Sequence, residues 1–415
     1  MQRSSKGVLV AAAAAAVVSA ALAAQPSPGA DWPRFRGGRG DGVSDDAGLL
    51  KEWPAQGPRQ VWRRPIGEGF SGVAVSGGRL YTMDSGDHQG TPFEFASALD
   101  PDTGREIWRT PVGPKHDTQF GNGPRATPTV AGDAVYVLGS RGTLKALSAA
   151  DGAARWSLDL TEAFGSKVPT WGFSGSVVAE DGKVLLEGGG PQGKSFAAVD
   201  AQTGKVLWTF GDGPPEPGYG TPLAVDIAGR RQYVHVVGTR LFALDASGKE
   251  VWSHAWPEGE THAMPVFVPP DRIFESGAEG VGGVLLQIEN GPDRTTVKEV
   301  WKNGTFRTHF NAAILHQGHL YGFDNTSLKC IKAEDGGLAW VKRGLGKGSL
   351  ILADGMLVVL ADDGRLVLAE ATPSGFVEKG MVQALQGRCW TPPAMAGGRV
   401  YLRNHSEIVA YDLKG

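Results

Sequence analysis

One register of a repeated sequence phrase carries the side chains that could do chemistry. Phe70, Arg125, Trp171, Tyr219, His262, His309, Lys347 and Arg388 fall at it, with Asn311 and Trp390 adjacent; the candidates are Arg125, Trp171, Tyr219, His262, His309, Lys347, Arg388 and Trp390. The set is basic and aromatic. Guanidinium and ammonium groups attract anions, and flat rings stack on flat ligands and on cations. These eight residues are the expected ligand- or cofactor-binding set, suited to a flat anion. His262 or His309 could act as a general base near neutral pH. The sequence places no carboxylate to orient either one, so no catalytic residue is assigned.

Other candidate motifs are weaker. His316-x-x-His319 offers two histidines, short of a zinc site. Asp45-Asp46 and Asp362-Asp363 lack calcium-loop spacing, and Asp362-Asp363-Gly364 reads as a hairpin turn. No metal site is expected. Ser174 stands between glycines but outside the G-x-S-x-G frame of a nucleophile elbow. Arg39-Gly40-Asp41 is a short triplet in a Gly/Arg-rich segment. Cys330, placed on an outer strand, and Cys389, placed near the axis, are expected to be separate buried thiols. His116-Asp117 lies in a loop before Arg125 that could cover the binding face. Trp171, Trp256 and Trp390, read as exposed, would suit a sugar surface.

These residues must be positioned by a repeat. The phrase polar-x3-Gly-x3-Trp appears as Asp100/Gly104/Trp108, Ser148/Gly152/Trp156, Asp200/Gly204/Trp208 and Lys332/Gly336/Trp340. From Trp62 to Trp340 the tryptophans of the repeat stand 39 to 52 residues apart. Each unit also holds an alternating strand, a glycine turn and a second apolar strand. That makes about four short strands per unit, the signature of a propeller blade. Eight units fit. The fold expected is an all-β, eight-bladed β-propeller of four-stranded antiparallel blades. The last unit lacks its outer strand, and an orphan strand at 59–63 carries Trp62. The N-terminal strand should therefore complete the last blade and close the ring. Blade seven is the weakest match, with Glu378 near the place of its tryptophan. The other tryptophans should dock between neighbouring blades.

Composition agrees. The chain holds 61 glycines in 415 residues, and glycine accepts the positive φ of tight turns. Two cysteines exclude a disulfide framework. A net charge of −3 gives no footprint for nucleic acid. Residues 1–24 read as a cleaved signal peptide: Arg3 and Lys6, an alanine-rich apolar stretch, then Ala21-Leu22-Ala23. Residues 25–58 form an N-terminal arm and 59–415 the propeller. No transmembrane segment is expected after cleavage. A periplasmic or secreted monomer follows.

The Ala-Leu-Asp-x-x-Thr-Gly-x-x-x-Trp phrase, Ala98 to Trp108 and nearly Ala198 to Trp208, resembles the tryptophan-docking repeat of pyrroloquinoline quinone (PQQ) propellers. The resemblance covers residues 59–415. The start, Asp31-Trp32-Pro33-Arg34-Phe35-Arg36-Gly37 through Asp41-Gly42-Val43-Ser44, looks like the leader segment of exported bacterial PQQ-like repeat proteins. The resemblance implies two branches. Quinoprotein dehydrogenases are longer, and carry an adjacent-cysteine disulfide and Glu, Asn and Asp ligands for calcium. Cys330 and Cys389 are far apart, and no calcium set carries over. Outer-membrane assembly scaffolds are eight-bladed and usually lipoproteins, and no lipid-accepting cysteine is present here. The leading expectation is a non-catalytic scaffold of the cell envelope that binds an envelope protein or a small anionic ligand. The alternative is a PQQ-dependent oxidoreductase of alcohols or sugars, which would bring PQQ with calcium to the channel.

Overall fold

A computed structural model describes residues 31–259, 262–278, 280–291 and 294–415. The expected signal peptide, 1–24, and the first residues of the arm lie outside them. Eight sheets are present, each built on four antiparallel strands. The inner strands run in chain order: Ala74–Ser76, Thr129–Ala131, Val178–Glu180, Leu223–Ile227, Val266–Val268, Ile314–His316, Ser349–Ala353 and Ala394–Ala396. They number blades 1 to 8 here. One short helix, Leu160–Phe164, follows blade 2, capped by the Asp159 carboxylate. No helix among the described residues is long and apolar enough to cross a membrane.

Arg59–Pro65 pairs antiparallel with Glu407–Asp412, so the fourth strand of blade 8 comes from the N-terminal side. The hydrophobic core lies between blades. One buried cluster joins Tyr81 and Met83 of blade 1 to Val135 and Val137 of blade 2, and another joins Tyr321 of blade 6 to Leu357 and Val359 of blade 7. This follows from strand alternation: both faces of every sheet meet a neighbour, so both must be apolar.

The tryptophans staple these interfaces. Trp62 Nε1 donates to Pro101 O of blade 1 at 2.9 Å, and Trp156 Nε1 to Ala201 O of blade 3 at 3.0 Å. Trp301 and Trp340 make the same bond to Ala333 O and Thr372 O, each at 2.9 Å. The indole lies flat on the turn glycine of the next blade. A Cβ on Gly104, whose φ is +69°, would stand 2.7 Å from the Trp62 ring. Gly104→Ala is expected to cost about 1–3 kcal/mol through overpacking and backbone strain. Urea unfolding of that variant checks it, and an unchanged midpoint would refute the packing.

Blade 7 departs from the pattern. In blade 1 the tryptophan pairs with Ala98, just before a register shift at Leu99. In blade 7 the residue in that register is Gly380, paired with Leu368, and Glu378 lies beyond the shift opposite Ala369. Glu378 thus stands near the tryptophan place, as expected, one bulge away from it. The space over Gly380 is filled by Trp53 of the arm. A Cβ on Gly380 would lie 2.6 Å from Trp53 Cβ, and Trp53 N donates to Lys379 O at 2.9 Å.

The rest of the arm enters the channel. Trp32 exchanges two backbone hydrogen bonds with Val75, and Pro33 O accepts from Val130 N at 2.8 Å. The buried Arg36 guanidinium donates to Ala312 O at 2.8 Å and Ala313 O at 2.6 Å in blade 6. Val43–Ser44 then pairs parallel with the inner strand of blade 7. The arm thus ties blades 1, 2, 6 and 7 together across the axis.

Candidate functional site

The segments leading into the inner strands bring side chains to the axis. Seven of the eight expected residues line one cavity of about 300 Å³: Arg125, Trp171, Tyr219, His262, His309, Lys347 and Trp390. Phe70 and Asn311 line it as well. Arg388 sits at the rim. Its guanidinium lies 4.4 Å from the Trp390 ring centroid and donates to Phe120 O at 2.9 Å.

Sequence reasoning missed several lining residues. Phe35 comes from the arm and lines the cavity. Phe310 stands next to His309, and Ser174, Ser176 and Thr221 add hydroxyls. In the loop after blade 1, Phe120 reaches the cavity mouth; His116, expected to cover it, instead bonds Thr170 O at 3.1 Å. A run of aromatics flanking the register positions was the available signal for Phe310, while Phe120 and Phe35 needed the folded loop and arm.

The rings form a nearly continuous wall. Tyr219 and His262 stack with centroids 5.0 Å apart, and His262 and His309 at 4.6 Å. Phe310 then meets Trp390 at 5.4 Å, Trp390 stacks on Phe70 at 5.6 Å, and Phe120 meets Trp171 at 4.9 Å. The two histidines lie face to face, which is a stacking arrangement. The buried Trp390 indole N–H has no acceptor among the described residues.

The charged groups are all cationic. Arg125 lies 4.9 Å from the Phe70 centroid and donates through Nε to Trp171 O at 2.6 Å and through Nη2 to Gly121 O at 2.8 Å. Burial lowers its pKa to about 10, so it keeps its charge at neutral pH. Lys347 lines the same cavity. Beside the mouth, burial and then the Arg403 charge push His405 down to about 4, so that ring is neutral. No Asp or Glu lines the cavity among the described residues.

That donor set fits a flat anion and does not fit a calcium-dependent quinone centre. A hard divalent cation needs several oxygen ligands, normally with carboxylates among them. Asn311 supplies one amide, and its Nδ2 is already donating to Gly348 O at 3.0 Å. Among the described residues no group of three or more His, Cys, Asp or Glu could hold a metal. His316 and His319 pair across a hairpin turn outside the cavity. Cys330 is on the third strand of blade 6, not the outermost, and both cysteines are free and buried. Trp256 is 7% exposed, so it offers no sugar surface, unlike the half-buried Trp171 and Trp390.

Comparison with known proteins places this architecture. A family model described as outer membrane protein assembly factor BamB matches residues 93–291. The outer membrane protein assembly factor BamB of Yersinia pestis is 26% identical over 182 residues, 40% of this chain and 40% of that protein. The chain therefore aligns with about two fifths of that relative's length. Among solved structures, BamB from Moraxella catarrhalis superposes with a TM-score of 0.59 at 15% identity, covering 86% of this chain and 98% of that one. A quinohemoprotein alcohol dehydrogenase from Comamonas testosteroni gives 0.64 at 15% identity, covering 94% and 82%. A europium-containing methanol dehydrogenase gives 0.62 at 12% identity, covering 91% and 90%. At those identities the likeness is one of fold. Repeat, blade count and superposition together make the fold an eight-bladed β-propeller, with the family match covering residues 93–291 of it.

Proposed function

We propose that this chain is a non-catalytic binding propeller of the bacterial cell envelope, reached through its N-terminal signal. The observation that carries the reading is the chemistry of the channel cavity: aromatic walls, cations, and no lining carboxylate among the described residues. Such a site can hold a ligand by charge and stacking. The partial match to an outer membrane assembly factor supports an envelope role with protein partners. The structural neighbours that are alcohol dehydrogenases keep the oxidoreductase alternative in view.

One assay separates the two. The full mature chain is incubated with PQQ and calcium, then with alcohols and sugars, and reduction of an electron-accepting dye is followed. No reduction above the protein-free control is expected. Saturable turnover that disappears in Trp171→Ala would overturn the non-catalytic reading.

A further inference from the structure

We propose that the channel cavity is a metal-independent cage for a small planar aromatic carboxylate. The inference rests on the reading of that cavity as a binding site, and goes further by naming the ligand class and excluding calcium from its recognition. Three observations meet in it.

The first is shape. A cavity of about 300 Å³ is at the small end of the range for ligand sites, about 300–1,000 Å³. Phe35 of the arm adds a further ring to its lining. The walls are flat: Trp390 and Phe70 stack at an interplanar angle of 25°, and Tyr219 and His262 at 19°. A fused-ring ligand matches these faces in the offset or edge-to-face geometries that aromatic pairs prefer.

The second is charge. Arg125 and Lys347 line the cavity, and Arg388 stands at its rim. With no acidic side chain in the described lining, an entering carboxylate neutralises cations directly. A metal ion would add to the positive charge already present instead of bridging ligand and protein. Charge-assisted hydrogen bonds from guanidinium or ammonium to carboxylate are the strong ones, so a carboxylate should be preferred over an isosteric amide.

The third is a spare donor. Trp390 Nε1 is buried without a protein acceptor among the described residues, as are Trp53 Nε1 and Trp208 Nε1 elsewhere in the fold, and of these three Trp390 lines the cavity. Buried donors are rarely left unmade, and a ligand oxygen is the acceptor this one lacks.

The test uses the full mature chain and three probes: 2-naphthoate, its uncharged amide 2-naphthamide, and PQQ. Binding is followed by quenching of tryptophan fluorescence and by calorimetry, once in EDTA and once in millimolar calcium. Saturable naphthoate binding is expected in EDTA, unchanged within about twofold by calcium, with the amide at least about tenfold weaker. Lys347→Met should weaken naphthoate at least tenfold, and Lys347→Arg should restore most of it. The unchanged fluorescence emission of both variants without probe controls for folding. Naphthoate binding that needs calcium, equal binding of the amide, or no saturation at millimolar probe would each overturn the proposal. PQQ bound only with calcium would overturn it too. Dye reduction by the PQQ-loaded protein is a separate readout. It would sink the non-catalytic reading while leaving metal-independent carboxylate binding standing or falling on the EDTA titration.

Discussion

Trp53→Ala is expected to lower the unfolding free energy by about 3–5 kcal/mol, the usual cost of truncating a buried tryptophan. Trp53 is only 5% exposed, and it belongs to the same buried cluster as Trp62, Met356 and Tyr401, which joins blades 7 and 8. Its position explains the size. Blades 8, 1, 2, 3 and 5 lay Trp62, Trp108, Trp156, Trp208 and Trp301 on the turn glycine of the blade ahead, and Trp340 of blade 6 donates to Thr372 O of blade 7. Blade 7 faces blade 8, whose third strand ends at Asp412 and whose fourth strand is Arg59–Pro65. No covalent turn joins those two strands, so there is no turn for a seventh tryptophan to cover. The arm fills both gaps at once. Leu50 N donates to Leu413 O at 2.8 Å where the turn would be, and Trp53 takes the space over Gly380. Urea unfolding followed by circular dichroism measures the loss, with Trp62→Ala as the reference expected to cost a similar amount. A loss below about 1 kcal/mol would mean that the arm rests on the seam without sealing it.

The same seam marks where the sequence stops being readable. Blade number and the tryptophan staples were legible because each needs one local phrase repeated at a fixed spacing. Ring closure was legible because Trp62 stood outside the eight units and the last unit lacked a strand. The replacement of a blade tryptophan by Trp53 was not legible. A bulge between Leu368 and Ala369 moves the register by a residue, and the filling ring comes from a segment with no repeat of its own. The cavity divides in the same way. Arg125, Trp171, Tyr219, His262, His309 and Lys347 were found by their repeat register, and Trp390 as a neighbour of it. Phe35 and Phe120 come from an arm and a loop, and only the folded chain brings them to the axis. Arg388, the expected register residue, lies six residues before the inner strand at Ala394 and meets Trp390 and Phe120 O, while Trp390, four before it, lines the cavity.

Glu275→Gln is expected to stabilise the protein at neutral and alkaline pH. Glu275 is on the second strand of blade 5 and is 1% exposed. Its Oε1 accepts from Ser276 N at 3.0 Å, and its Oε2 has no partner among the described residues. Burial pushes its pKa from an ordinary value near 4.5 up to about 8. Asp324 shows the contrast on blade 6. Burial pushes that carboxyl up as well, but bonds from Arg307 and Lys329 outweigh it and hold it below the usual range. Glu275 has no such cation and stays protonated in the folded chain, while in the unfolded chain it ionises near 4.5. Between those two values the folded state binds more protons, so stability falls as pH rises from about 4.5 through about 8. Below 4.5 both states are neutral and the contribution is whole; above 8 both are ionised and the loss is complete. Glutamine keeps the acceptor for Ser276 and cannot ionise, so it removes the slope. The gain over wild type should be near zero at pH 4, and grow to about 3 kcal/mol at pH 7 and about 5 kcal/mol at pH 9. Unfolding midpoints of the two proteins measured from pH 4 to 9 decide it. Curves that stay parallel over that range would show that Glu275 is ionised in the fold, held by a cation or water chain that offsets its burial.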